Sequence, residues 1–180
     1  MFVQTQNTPN PNSLKFLPEK KVSLDGSFEI LKKSETNNEL VKNILSINGI
    51  TGIFLSEDFL SVNKKNDFEW EDLKHIIISF INEYYSNGRE CIIDKDHKNT
   101  KNTEFGNIEE KIINILDTKI RPAVARDGGD IKFEKYEGGI VTVKLQGSCS
   151  GCPSSVVTLK NGVQNLLRHY IKEVKNVESI

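Results

Sequence analysis

Two cysteines stand three positions apart late in the chain, at Cys149 and Cys152, within the run Gly-Ser-Cys-Ser-Gly-Cys-Pro. A pair of thiolates at this spacing can bind one soft metal centre, but iron–sulfur clusters and structural zinc generally take four protein ligands. The third cysteine, Cys91, lies far away in the sequence and has no neighbouring cysteine. Either another molecule supplies the missing ligands, or the pair carries out redox chemistry instead.

The residues around the pair suit metal ligation. Pro153 is well placed at the first position of a helix, so Cys152 lies at or next to the amino end of that helix. The positive end of the helix dipole favours the thiolate, which is the form that binds metal. Gly147 and Gly151 allow backbone conformations that other residues resist, and the two serines of the loop add small polar donors.

Other interpretations of the pair compete with cluster binding. A thioredoxin-like thiol–disulfide module also places Cys-x-x-Cys at a helix start, but here a β-hairpin precedes the motif and no proline follows Pro153. Zinc is disfavoured because there is no second cysteine pair, and His169 lies about four helical turns from Cys152. The redox module is kept as the alternative function, and an interaction protein that makes no use of the cysteines is a third class.

The composition argues against several other kinds of protein. The 180 residues are 37% hydrophobic and 27% charged with a net charge of −1, so no basic field indicates nucleic acid. No run approaches the roughly 18 apolar residues of a membrane span, and three cysteines do not form a disulfide framework. The first residues lack a basic and apolar leader, and the first arginine is Arg89. We expect a cytoplasmic protein, or a mitochondrial matrix protein if a presequence has been removed.

A polar run divides the chain into two modules, because residues 94–103 contain no apolar side chain that could be buried. We expect a first domain at 1–92, a linker at 93–105 and a second domain at 106–180. The fold class is α+β, with a small α/β module on each side of the linker. In the first module the pattern predicts strands at Phe2–Gln6, Ser13–Leu17, Ile50–Ser56 and Phe59–Asn63, and helices at Leu40–Leu45 and Glu69–Tyr85.

The second module is predicted in the order helix, β-hairpin, cysteine loop, helix. Asn107 should cap the first helix together with Glu110, and Pro122 should cause a break or a fresh turn at Arg121. Paired glycines turn the hairpin, and apolar residues at helical spacing continue to Val174. The expected hairpin strands are Ile131–Tyr136 and Ile140–Leu145.

Several single residues could suggest chemistry of their own. Cys91 follows the predicted second helix, within an extended run that contains apolar residues, and is expected to be a small buried hydrophobic residue rather than a ligand. Asp127 and Asp130 flank two glycines, which favours a structural turn over acid–base or metal chemistry. Arg121 and Arg126 balance the charge of an anionic cluster, meet a partner protein, or belong to an ordinary charged surface.

Longer motifs resemble a known family. The segments Ile120–Val124, Asp127–Ile131 and Gly147–Ser155, followed by Thr158–Lys160, closely resemble the C-terminal domain of NifU. Thr5–Phe16 is similar to the start of the N-terminal domain of Nfu-type proteins. The resemblance implies an iron–sulfur cluster carrier that holds a [4Fe–4S] cluster, or a [2Fe–2S] cluster, and passes it to apo-proteins. NifU also has a cysteine-rich scaffold domain and a ferredoxin domain that are not present here, so carriage is favoured over de novo assembly.

Two thiolates per chain and four ligand positions per cluster imply that two chains share one cluster through a two-fold axis. The expected ligands are Cys149 and Cys152 of each subunit in a cluster-bound homodimer. The expected partners are an upstream assembly scaffold as donor and apo iron–sulfur proteins as recipients, with no nucleic acid and no membrane. Carriage requires no general acid or base, so we do not expect an enzyme. By resemblance, the first module recognises donors or recipients or controls the dimer.

Overall fold

The computed structural model describes residues 2–94, 106–151 and 153–180, without the side chains of residues 153–155. The chain divides into two compact units, Met1–Asn99 and Thr100–Ile180, each with its own sheet and hydrophobic core. The α+β class expected from the sequence is confirmed. Most of the expected linker, residues 95–105, lies outside the described residues.

The first unit contains a five-stranded antiparallel sheet and two α-helices. Its elements are β1 (Gln4–Asn7), β2 (Ser13–Leu17), β3 (Phe28–Ile30), α1 (Glu39–Ser46), β4 (Ile50–Leu55), β5 (Leu60–Lys64) and α2 (Trp70–Ser86). The strand order in the sheet is β1-β2-β5-β4-β3, with every neighbouring pair antiparallel. All four predicted strands and both predicted helices are present within two residues of their expected ends, whereas β3 was not predicted.

The core of the first unit forms where both helices cover the apolar face of this sheet. Asn38 caps α1, since its side chain accepts a hydrogen bond from the Val41 N–H at 3.2 Å. The apolar side chains of each helix recur every three or four residues, and those of the strands recur every second residue. The buried set includes Leu14, Phe16, Leu40, Val41, Ile44, Ile53, Leu55, Leu60, Val62, Leu73, Ile77 and Ile81.

The second unit has the expected order of helix, hairpin, cysteine loop and helix, followed by one further strand. Its elements are α3 (Asn107–Ile115), a π-helical turn (Leu116–Ile120), α4 (Arg121–Arg126), β6 (Gly129–Glu137), β7 (Ile140–Gly147), α5 (Pro153–Tyr170) and β8 (Asn176–Ser179). β6 and β7 form the antiparallel hairpin, and β8 pairs with β7 in parallel. α5 ends at Tyr170, so Val174, which was expected to continue the helix, lies beyond its end and is buried beside the sheet.

One local prediction in this unit was wrong and another holds in part. Gly106 rather than Asn107 is the N-cap of α3, and its N–H donates to Glu109 Oε2 at 2.7 Å. A new helix, α4, begins at Arg121, where a break or a fresh turn was expected, although Arg121 itself is helical with φ −56° and ψ −39°. The irregularity lies one turn earlier, because the Arg121 N–H donates to the carbonyl of Leu116, five residues back. Pro122 stands in the first turn of α4, the part of a helix in which proline is tolerated.

The central strand β7 leads directly into the cysteine loop, and α5 carries the chain away from it. β6 and β8 pair with the two edges of β7, so the start of the loop is held by the sheet. α5 is held through Val163 and Leu167, which are 1% and 0% exposed in the core of this unit. Among the described helices, none is both long enough and apolar enough to span a bilayer.

Candidate functional site

The cysteine loop connects β7, which ends at Gly147, to α5, which begins at Pro153. The expectation that Pro153 stands at the first position of a helix is confirmed. Cys149 lies within the loop, whereas Cys152 is outside the described residues. The motif therefore sits at a strand-to-helix junction.

Hydrogen bonds tie the loop to the turn that precedes β6. The Ser148 N–H donates to the Gly128 carbonyl at 3.2 Å, and the Ser148 hydroxyl donates to the Asp127 carbonyl. Within the loop, the N–H and hydroxyl of Ser150 both donate to the Gly147 carbonyl, at 3.2 and 2.8 Å. The two serines were expected to be small polar donors, and these bonds show them donating to backbone carbonyls of the protein.

Glycine is needed at the two ends of the described loop for its backbone conformation. Gly147 has φ +69° and Gly151 has φ +80°, in the left-handed region that L side chains rarely adopt. This agrees with the expected role of both glycines. The chain can thus turn sharply on either side of Cys149.

Cys149 faces the interior of its unit. The residue is 6% exposed and belongs to a cluster of buried apolar side chains that includes Ile131, Leu145 and Val163. Its Sγ lies 3.9 Å from the Ser148 hydroxyl oxygen. The sulfur therefore has a defined place between the sheet and the turn before β6.

An ion pair holds the start of β6, next to that turn, to α4. Arg121 donates from Nε to Asp130 Oδ1 at 2.8 Å and from Nη2 to Asp130 Oδ2 at 2.9 Å, and from Nη1 to Asp117 at 3.1 Å. The Asp130 side chain is 7% exposed, and it also accepts from the Ile131 N–H at 2.9 Å. Hydrogen bonding to Asp130 raises the pKa of Arg121 above its ordinary value. Asp130 thus has a structural role at the start of β6, beside the turn that the two glycines predicted, and Arg121 is paired with protein carboxylates.

Cys91 belongs to the first unit, in the segment that follows α2. Its side chain is half-buried rather than buried, and its carbonyl accepts a hydrogen bond from the Tyr84 hydroxyl at 3.0 Å. Burial raises the pKa of the Cys91 thiol, with smaller contributions from the nearby charges of Asp94 and Glu90. The predicted role of a packed small residue thus holds only in part.

Metal-ligating side chains do not gather at any other place in the described part of the chain. Within residues 2–94, 106–151 and 153–180, no three His, Cys, Asp or Glu side chains come together to hold a metal ion. His169, expected to lie too far along α5 to share a metal with Cys152, packs edge-on against Tyr170, with 5.0 Å between the ring centroids. Sequence reasoning missed the Arg121–Asp130 pair and the bonds from Ser148 to the turn.

Comparison with known proteins places both units. Residues 112–178 match the family described as "NifU-like domain", and residues 3–88 match "Scaffold protein Nfu/NifU N terminal". The chain is 43% identical over 99% of its length to "NifU-like protein 4, mitochondrial" of Arabidopsis thaliana, and spans 65% of that protein. It is 41% identical over its whole length to "NFU1 iron-sulfur cluster scaffold homolog, mitochondrial" of Homo sapiens, and spans 72% of that protein.

Among solved structures, the solution structure of a NifU-like protein from Saccharomyces cerevisiae resembles this chain with 27% identity. The similarity covers 53% of this chain and 87% of the yeast chain, with a TM-score of 0.48. The sequence relationships extend over both units. The chain belongs to the Nfu-type family of NifU-like iron–sulfur cluster scaffold proteins.

Proposed function

We propose that this protein carries an iron–sulfur cluster, as cargo, between an assembly scaffold and apo-proteins. The observation that supports this most directly is the cysteine loop, because hydrogen bonds hold the segment that carries Cys149 at a strand-to-helix junction, and Cys152 follows three positions later in the sequence. Thiolates at Cys-x-x-Cys spacing are typical ligands of such clusters. Several relatives are named as iron–sulfur cluster scaffold homologs, which supports the same function.

The proposed ligands are Cys149 and Cys152 of each of two subunits, which share one cluster across a two-fold axis. One chain has too few thiols in the loop to complete the four ligands of a [4Fe–4S] cluster, so a second copy supplies the others. A [2Fe–2S] cluster has the same requirement and is the alternative cargo. A cluster held between subunits is exposed when they separate, which allows the thiols of a recipient to displace those of the carrier.

This mechanism moves a preformed cluster by ligand exchange, and so we do not class the protein as an enzyme. We assign cluster binding to the second domain, residues 106–180, and propose that residues 93–105 link it to the first domain, residues 1–92. The first domain recognises donor or recipient proteins or controls the dimer. No nucleic acid or membrane takes part. Because the relatives are named as mitochondrial, we favour the matrix over the cytoplasm for this chain.

Anaerobic reconstitution of the full chain with iron and sulfide tests the proposal. We expect a brown protein with about two irons per chain, since one [4Fe–4S] cluster is shared by two chains. Cys149→Ser and Cys152→Ser should each abolish cluster binding, whereas the matched control Cys91→Ser should bind as the unmodified protein does. A colourless, iron-free protein that instead cycles between dithiol and disulfide would refute carriage and favour the redox module.

Size-exclusion chromatography tests the shared site. The cluster-bound protein should elute as a dimer, and chelating the iron should remove the contribution of the cluster to dimer formation. A cluster-bound form that stays monomeric at all concentrations would contradict ligand sharing between subunits.

A further inference from the structure

The sulfur of Cys149 occupies space that a side chain at position 129 would need. Gly129 begins β6 and lies opposite Gly147, the last residue of β7. A Cβ built on Gly129 would stand 2.7 Å from Cys149 Sγ, 3.2 Å from Cys149 Cβ and 2.6 Å from the Gln146 carbonyl oxygen. Real Cβ atoms do not approach other atoms as closely as the first and last of these distances.

The requirement for glycine at this position is one of space rather than of backbone conformation. The preceding Gly128 has φ +82°, in the left-handed region, whereas Gly129 is in the ordinary region open to any residue. An alanine at 129 could therefore adopt the backbone, but the atoms around it would have to move. Of the two closest atoms, the Gln146 carbonyl is fixed in the hairpin ladder, while Cys149 Sγ can rotate about its χ1 angle.

We propose that Gly129 is a positioning residue for cluster capture, whose missing side chain sets the place of the Cys149 sulfur. The inference rests on the proposed function, since it assumes that Cys149 is a ligand. Ser148 adds to the arrangement, because its N–H and hydroxyl hold the loop to the carbonyls of Gly128 and Asp127. The turn before β6 and the cysteine loop thus form one support for the thiol.

The test compares Gly129→Ala with the unmodified full chain in two measurements. Iron retained against a chelator after anaerobic reconstitution should fall about tenfold or more, as is typical when a group that orients a metal ligand is lost. In the cluster-free protein, alkylation of Cys149 by iodoacetamide, followed by peptide mass spectrometry, should become faster because the sulfur leaves its place. Alkylation of Cys91, in the other unit, should not change, which excludes unfolding of the whole chain, and an unchanged far-UV circular-dichroism spectrum excludes unfolding of the second unit alone.

Gly162→Ala is the matched control, since a Cβ at this helical position meets nothing within 4 Å. It should leave iron retention and Cys149 alkylation unchanged. If the unmodified protein binds iron and Gly129→Ala matches it in both measurements, the positioning role is wrong while cluster carriage stands. If the unmodified protein binds no iron, cluster carriage itself fails.

A thermal unfolding cycle keeps the inference testable even if Gly129→Ala folds poorly. In a Cys149→Ala background the sulfur is gone, so Gly129→Ala should lower the melting temperature less than it does in the unmodified chain. If Gly129→Ala lowers the melting temperature equally in both backgrounds, or prevents folding in both, the whole effect comes from the Gln146 carbonyl. Either result would overturn the inference.

Discussion

Replacing Arg121 with glutamine should destabilise the second unit by about 2 kcal/mol. The change removes the two N–H donors that lie 2.8 and 2.9 Å from the Asp130 oxygens and leaves a carboxylate that is 7% exposed. Breaking a fully buried ion pair costs about 3–5 kcal/mol, but the Arg121 side chain is 37% exposed and water screens its charge, which reduces the loss. For a unit of this size, about 2 kcal/mol corresponds to a melting temperature lower by about 8–16 °C.

Thermal unfolding followed by far-UV circular dichroism measures this effect. Trp70, the only tryptophan, lies in the first unit, so its fluorescence separates the unfolding of that unit from the unfolding of the second. Asp117→Asn is the matched control, because this carboxylate contacts the same guanidinium at 3.1 Å but is 49% exposed. We expect it to cost less than about 0.5 kcal/mol, as exposed pairs four residues apart on a helix do.

A double-mutant cycle with Asp130→Asn decides whether the effect comes from the pair. The coupling between the two changes should exceed about 1 kcal/mol, because each residue loses the same partner. The reasoning would be refuted if Arg121→Gln cost no more than Asp117→Asn, or if the losses from Arg121→Gln and Asp130→Asn were simply additive.

Two further predictions concern the first unit. Gly49→Ala should destabilise the first unit by several kcal/mol more than Gly88→Ala. Both glycines have positive φ, but only at position 49 would an added Cβ lie 2.5 Å from a ring carbon of Phe68. Chemical unfolding measures the difference, Gly88→Ala should show only a backbone cost of about 1–2 kcal/mol, and equal losses would contradict the steric argument. Because burial raises the pKa of the Cys91 thiol, its alkylation rate should still be rising at a pH where a free cysteine has levelled off. Stopped-flow alkylation of Cys149→Ser/Cys152→Ser gives this profile, and a profile that matches free cysteine would contradict the assigned burial.

The elements rich in apolar residues could be predicted from the sequence, because apolar residues repeat every three or four positions in helices and every second position in strands. α2 repeats its buried side chains at helical spacing over 17 residues, and the paired glycines at 138 and 139 mark the β6–β7 hairpin. β3 and β8 could not be found in this way. They have three and four residues, and each becomes a strand only by pairing at the edge of a sheet with a strand far along the chain.

The spacing of Cys149 and Cys152 was enough to locate the candidate site but not the residues that support it. If the two strands paired without interruption from Glu137 and Ile140 at the turn, Asp130 would lie opposite Gly147. A bulge between Phe133 and Lys135 shifts the register by one residue, so that Gly129 takes that place instead. The closeness of Gly129 to the Cys149 sulfur depends on this register shift, which no local sequence pattern predicts.

The π-helical turn at Leu116–Ile120 acts as a phase correction between two helices. Deleting one residue from it would restore the ordinary α-helical spacing, in which the Arg121 N–H still reaches the Leu116 carbonyl, so the guanidinium would keep its direction towards the first residues of β6. The same deletion within α3 has no wide turn to absorb it, and it would rotate the residues before it by about 100° relative to those after it. The loss of one residue is therefore less harmful in this turn than in the regular helix that precedes it.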